Sequence, residues 1–185
     1  MVETIVRQRR SIDRRVSPAG AEIIGRAWQA VAGVPDPEIP IVSIVELGIV
    51  RAIRVEDARV VIEVTPTYSG CPATETITHD IRDALAEHGI ANARIETRLA
   101  PAWTTDRIAP EAKRRLREFG IAPPHVRAPR IDVTGISPLR RFVAVACPRC
   151  ASMRTRLVSQ FGSTACKAHY RCDDCLEPFD YFKPL

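Results

Sequence analysis

The chain has 185 residues, 45% of them hydrophobic, with a net charge of +5, and none of its apolar runs approaches the roughly 18 to 20 residues of a spanning helix. A soluble protein of one domain plus a small appendage is expected, without a membrane partner. Divided by region the charge is +3 over residues 1–18, −2 over 19–139 and +4 over 140–185, which argues against the main body as a polyanion binder.

Residues 1–16 form a basic stretch with Arg7, Arg9, Arg10, Arg14 and Arg15 but no apolar signal core, so a solvated, disordered tail is expected, with partner docking or an organellar address as the alternatives. Without an export signal the protein is placed in the cytoplasm, where its six cysteines point to metal or thiol chemistry rather than to disulfides. Ser17-Pro18 starts a helix over 18–32, with Ile24, Ala27, Trp28 and Val31 at helical spacing and Gly33 as its stop. The run Pro35-Asp36-Pro37-Glu38-Ile39-Pro40 forbids helix. Strands are predicted over 49–55 and 58–65 with a turn at Glu56-Asp57. A second helix follows from Pro72, with Ile77, Ile81, Ala84 and Leu85 inward and Gly89 as its stop. Ala93, Ile95, Thr97 and Leu99 alternate with Arg94, Glu96 and Arg98 as a half-buried strand, and a short helix covers 110–119. The fold class is α+β. An α-β-β-α-β-α sheet domain over 17–121, with its helices on one face, precedes a proline-rich linker over 122–140 and a small cysteine-rich β module over 141–185.

In that module Cys147-Pro148-Arg149-Cys150 and Cys172-Asp173-Asp174-Cys175 are two Cys-x-x-Cys knuckles 21 residues apart, the spacing of a metal-binding ribbon. Zinc is the expected occupant, and the same four sulfurs suit iron, alone or as a cluster. So short a segment has little apolar material of its own, so the metal is expected to serve as its core. Cys166 and His169 lie between the knuckles; either could substitute for one ligand, but a packed or idle Cys166 is the simpler reading. His79, His88 and His125 have no ligand partner at useful spacing.

Cys71 stands alone, either a buried structural thiol or a working one. At a helix start it would meet unpaired N–H groups and the positive dipole end, enough to lower its pKa from about 8.5 to about 7. With no histidine beside it and no Ser/His/Asp arrangement in the chain, it is not the nucleophile of a self-sufficient hydrolase. Asp36 and Glu38, two apart on a stiff segment, suit a shared hydrogen-bond or metal task, or else cap their own loop. The lone Trp103 is expected to close the core rather than to meet a ligand.

These residues carry a resemblance. Asp36-Pro37-Glu38-Ile39-Pro40, Glu46-Leu47-Gly48-Ile49-Val50, Thr65-Pro66-Thr67 and Gly70-Cys71-Pro72 resemble the metal-sulfur cluster assembly domain of iron-sulfur maturation factors. Pro101-Ala102-Trp103-Thr104-Thr105-Asp106, the two knuckles, Phe161-Gly162-Ser163-Thr164-Ala165-Cys166-Lys167 and Glu177-Pro178-Phe179-Asp180-Tyr181-Phe182-Lys183 are similar to the PaaD (or PaaJ) family, over about residues 17–185. The resemblance implies an accessory component of the bacterial phenylacetyl-CoA 1,2-epoxidase of phenylacetate degradation, whose oxygen chemistry belongs to a di-iron oxygenase fed by a flavin and iron-sulfur reductase. The chain has no Glu-x-x-His pair and no dinucleotide fingerprint, so it is neither of those partners. What remains is maturation of their metal centres. Cys71 matches the assembly domain's cysteine and Asp36 and Glu38 its acidic motif. Cys71 would hold iron or a cluster transiently, across a homodimer because one sulfur cannot hold a cluster alone, while the ribbon docks a client or holds the factor together. The alternatives are a structural subunit bridging oxygenase and reductase, and a nucleic-acid-binding zinc ribbon resting on the basic charge alone.

Overall fold

The computed structural model describes residues 17–68, 70–124 and 145–184. The arginine-rich start, His125 and most of the expected linker lie outside the described residues. The chain divides into two compact units: the described residues up to Trp103 together with Arg107–Ala112, and Thr104–Asp106 together with the described residues from Lys113 onward. No helix among the described residues is long and apolar enough to cross a membrane.

The first unit begins with helix α1 (Pro18–Ala32), whose Ser17 cap accepts the Gly20 N–H at 3.2 Å and whose Ile24, Ala27, Trp28 and Val31 are buried. Strands β1 (Val50–Glu56) and β2 (Arg59–Val64) form an antiparallel hairpin, and β3 (Ala93–Thr97) joins β2 in parallel, giving the order β1-β2-β3. Helix α2 (Ala73–Glu87) makes the crossover from β2 to β3, burying Ala73, Ile77, Ile81 and Leu85. The hairpin turn falls one residue later than predicted, because Asp57 (φ 48°) and Ala58 (φ 60°) take the two left-handed positions of the two-residue turn. A further helix, α3, spans Pro110–Phe119.

Charged residues line the outer face of the sheet as a connected ladder. Arg54 reaches Glu56 and Glu96, each at 2.6 Å, Arg94 reaches Glu56 at 2.7 Å, and Arg98 reaches Glu63 at 3.2 Å. The alternation of charges in β3 therefore marks a solvent face. Leu99, read as the inward end of that strand, lies beyond it and is exposed.

The core owes more to the irregular stretch after α1 than its prolines suggested: Val34, Ile39, Val42, Ile44, Val45, Leu47 and Ile49 are all buried. Two bonds between Ser43 and Glu46, from the Ser43 N–H to Oε2 at 2.9 Å and from the Glu46 N–H to Ser43 Oγ at 3.3 Å, close a reciprocal capping box there. The Trp103 indole donates to the Leu47 carbonyl at 2.9 Å, and the Ala109 N–H to that of Glu46 at 2.9 Å. Gly48 sits at φ +73° where a Cβ would lie 2.6 Å from Arg107 Cβ, so only glycine fits. Trp103 is thus a core residue.

The second unit contains a four-stranded sheet in the order β4-β7-β6-β5, with β4 Ile121–Ala122, β5 Thr155–Ser159, β6 Lys167–Cys172 and β7 Pro178–Phe182. Ile121 and Ala122 pair in parallel with Asp180 and Tyr181, so the residues at which the sequence reading ended one domain and began a linker are an edge strand of this sheet. Two apolar residues released by the left-handed Gly120 (φ 97°) cover the open edge of β7. The module also has a core of its own: Ala122, Val145, Ala168, Tyr170, Phe179 and Tyr181 cluster with Cys147 and Cys172. Tyr170 stacks on Phe179 at 5.8 Å and meets Tyr181 edge-on at 5.6 Å. A metal here would extend an aromatic cluster rather than replace one.

Candidate metal-binding sites

The ribbon places the sulfurs of Cys147, Cys150, Cys172 and Cys175 within 4.8 Å of one another. The closest pairs, Cys147 with Cys175 and Cys150 with Cys172, stand 3.7 and 3.6 Å apart. A tetrahedral ion with metal–sulfur bonds of about 2.3 Å requires sulfurs about 3.8 Å apart, whereas a disulfide requires about 2.05 Å. The quartet therefore fits one metal ion and no disulfide, and none of the six cysteines is joined in a disulfide.

Both knuckles are built alike. The residue after each second cysteine is left-handed, Ala151 at φ 61° and Leu176 at φ 63°. The Cys147 N–H donates to the Ser152 carbonyl at 2.9 Å, and the Cys172 N–H donates to the Glu177 carbonyl at 3.0 Å. Without metal Cys172 and Cys175 are pushed in opposite directions. The Cys175 N–H leads the stabilisation of the Cys172 thiolate, which comes down to about 7. For Cys175 the Glu177 N–H pulls the other way, but burial and bonds to the three other sulfurs outweigh it and push the thiol up to about 12. A cation is what would let all four ionise together.

Cys166 and His169 are not part of this group. Cys166 is buried with its sulfur 3.0 Å from Thr164 Oγ1, and His169 Nδ1 faces Asp180 Oδ1 at 3.3 Å. The buried Lys167 reaches the other oxygen of Asp180 at 3.6 Å. These pairs sit at the end of β6 and β7 away from Cys172.

In the first unit Cys71 lies in the loop between β2 and α2, partly buried. It is not the N-cap: Pro72 holds that position and α2 starts at Ala73. Cys71 precedes the cap and is fixed through its backbone, its N–H donating to Tyr68 O at 3.2 Å and its carbonyl accepting Thr74 Oγ1 at 2.8 Å. The expected lowering of its pKa is overturned. Burial pushes the thiol up, the Ala73 N–H opposes this, and the charges of Glu38 and Asp36 raise it further. The helix end is outweighed first by burial of the sulfur, and two carboxylates that single-sequence spacing could not place add to it in the same direction.

Asp36 turns inward and is 7% exposed, its Oδ1 accepting the N–H groups of Glu38 at 3.0 Å and Ile39 at 2.9 Å. The segment is a capped turn rather than an extended run, so the two carboxylates do not share one side of a strand. Both nevertheless act on Cys71 as charges, which brings the acidic loop and the cysteine loop into one electrostatic site.

Fold and sites together define a two-unit metal protein, an α+β domain with a single loop thiol joined to a four-cysteine β ribbon. Residues 136–183 match the PaaD zinc beta ribbon domain and residues 26–95 match the Iron-sulfur cluster assembly protein family. A protein of Escherichia coli (strain K12), described as a candidate component of 1,2-phenylacetyl-CoA epoxidase, is 45% identical over 175 residues, 92% of this chain and 98% of that one. The chain belongs to the PaaD family. An Fe-S protein maturation auxiliary factor of Porphyromonas gingivalis (strain ATCC BAA-308 / W83) is 33% identical over 81 residues, 43% of this chain and 76% of that protein. The crystal structure of the DUF59 domain from Bacillus anthracis overlays with a TM-score of 0.49 at 26% identity, covering 53% of this chain and 94% of the domain.

Proposed function

We infer that the protein is an accessory maturation factor of a phenylacetyl-CoA epoxidase system, receiving iron or an iron-sulfur unit at Cys71 and passing it to the oxygenase or reductase. The observation that carries this reading is the partly buried Cys71 thiol, raised by burial and further by the charges of Glu38 and Asp36. A thiol held protonated in this way waits for a cation. An arriving iron ion offsets the negative charge, displaces the proton and finds one soft sulfur beside hard oxygens. Among the described residues Cys71, Asp36 and Glu38 do not form a ready-made ligand cluster, so a metal at Cys71 would be held loosely by comparison with four thiolates, which suits cargo meant to leave. The remaining ligands would come from a second copy of the chain or from the client.

The ribbon quartet has the opposite character, and zinc is its proposed resident, bound for structure. Four thiolates saturate a tetrahedral ion and leave no open position for chemistry. The test of function is in the client. In cells making the epoxidase subunits with Cys71→Ala in place of this chain, the iron content of the purified oxygenase or reductase should fall several-fold, while the variant keeps its zinc. Fully iron-loaded, fully active partners would reject transfer and favour a bridging subunit.

A further inference from the structure

Two arginines stand apart from the other charged residues of the first unit. Arg51 Nη1 and Arg107 Nε are shielded from solvent and have no hydrogen-bond partner. Among the described residues neither guanidinium enters an ion pair, whereas Arg54, Arg94 and Arg98 on the same sheet are paired with Glu56, Glu63 and Glu96.

Their placement is built. The β1–β2 register shifts between Val50 and Ala52, so Arg51 is the residue left without a cross-strand partner, the position at which a bulge re-aims a side chain. Arg107 is held against Gly48, whose missing side chain gives Arg107 Cβ its room, and the Trp103 and Ala109 bonds to Leu47 and Glu46 fix the segment on either side. The Thr65 N–H donates to the Ile49 carbonyl at 2.8 Å, which ties the start of the loop carrying Cys71 to a point two residues before Arg51.

We propose that Arg51 and Arg107 form a binding site for an oxyanion, a phosphate or carboxylate group, at the end of the sheet from which the Cys71 loop departs. Two guanidinium groups cannot shed their protons, so shielded N–H groups and like charges call for an anion to complete them. The fork geometry of arginine suits the oxygens of phosphate or carboxylate in particular. Burial and the nearby Arg107 both work against the charged form of Arg51, and Glu63, already shared between Arg54 and Arg98, is the single carboxylate opposing them.

Trp28 and Trp103, the two tryptophans of the chain, both lie in this unit, so their fluorescence reports its unfolding alone. The zinc-loaded full chain is melted in sodium phosphate, sodium acetate and sodium chloride at matched ionic strength. At one hundred times the dissociation constant, phosphate or acetate should raise the midpoint by about 10–20 °C over chloride. Arg51→Gln and Arg107→Gln should each abolish that rise. A response to phosphate alone identifies a phosphoryl ligand, and a response to acetate identifies a carboxylate. In chloride both variants should melt no lower than the wild type, since each removes one of two repelling charges. Equal wild-type midpoints in all three salts would overturn the proposal, as would variants that melt lower in chloride, which would show that the guanidinium groups have structural partners.

Discussion

The two sulfur sites invite comparison because they use the same atom in opposite ways. The ribbon holds four cysteines within 4.8 Å of one another on two matching turns, with Cys147 and Cys172 built into an aromatic core. The assembly domain holds a single cysteine in a loop, where burial, aided by the charges of Glu38 and Asp36, favours the protonated sulfur. Thiolates crowded together commit a site to a metal, while a lone thiol beside carboxylates keeps its affinity modest and its occupancy conditional. Density of cysteines therefore points to scaffold, and the sparse site is where the proposed transfer would take place.

The comparison breaks most visibly if the metal is taken away. Chelation, or Cys172→Ser, should withdraw about 10 kcal/mol or more from the ribbon. Amide protection would be lost over 145–184 in hydrogen exchange while tryptophan emission from the first unit stays native; ribbon protection surviving chelation would mean that the aromatic cluster holds the fold alone. Next in size is Gly48→Ala, which forces a side chain into a left-handed position and against Arg107, and should cost the first unit about 3 kcal/mol by fluorescence-detected denaturation.

The acid–base contrast comes third. Because burial and the two carboxylates raise the Cys71 pKa, its thiolate should appear at higher pH than that of a free thiol. Alkylation of zinc-loaded protein should therefore be half-complete at a higher pH than for a model thiol. Glu38→Gln removes one of the charges and should move that midpoint down. An unmoved midpoint would separate the acidic loop from the sulfur. Smallest is the relief of strain in the knuckles. Ala151→Gly or Leu176→Gly accommodates a left-handed backbone and should leave zinc-loaded stability unchanged or raise it by up to about 1 kcal/mol.

Much of this molecule was legible in its sequence, for reasons that are local. Ser17-Pro18, the 3.6-residue spacing through Trp28 and the alternation of Arg94, Glu96 and Arg98 each specify an element from within a few residues. The knuckles are legible because one metal imposes their spacing. What escaped depends on contacts between distant segments. The Cys71 shift comes first from burial by the fold and then from charges on a loop 33 to 35 residues earlier in the chain. The inward turn of Asp36 depends on which amides fold back over it. Ile121 and Ala122 became a strand because β7 offered an edge, and the unpaired position of Arg51 comes from a register shift that no local pattern announces.

The central claim, that one site is committed to its metal and the other is open to cargo, is most directly tested by elemental analysis. Wild type and Cys71→Ala are purified without oxygen, exposed to ferrous iron and sulfide, and passed through a desalting column. The account predicts about one zinc per chain in both, with iron and visible absorbance in the wild type alone. Iron retained equally by both proteins, or zinc lost from the Cys71 variant, would contradict it.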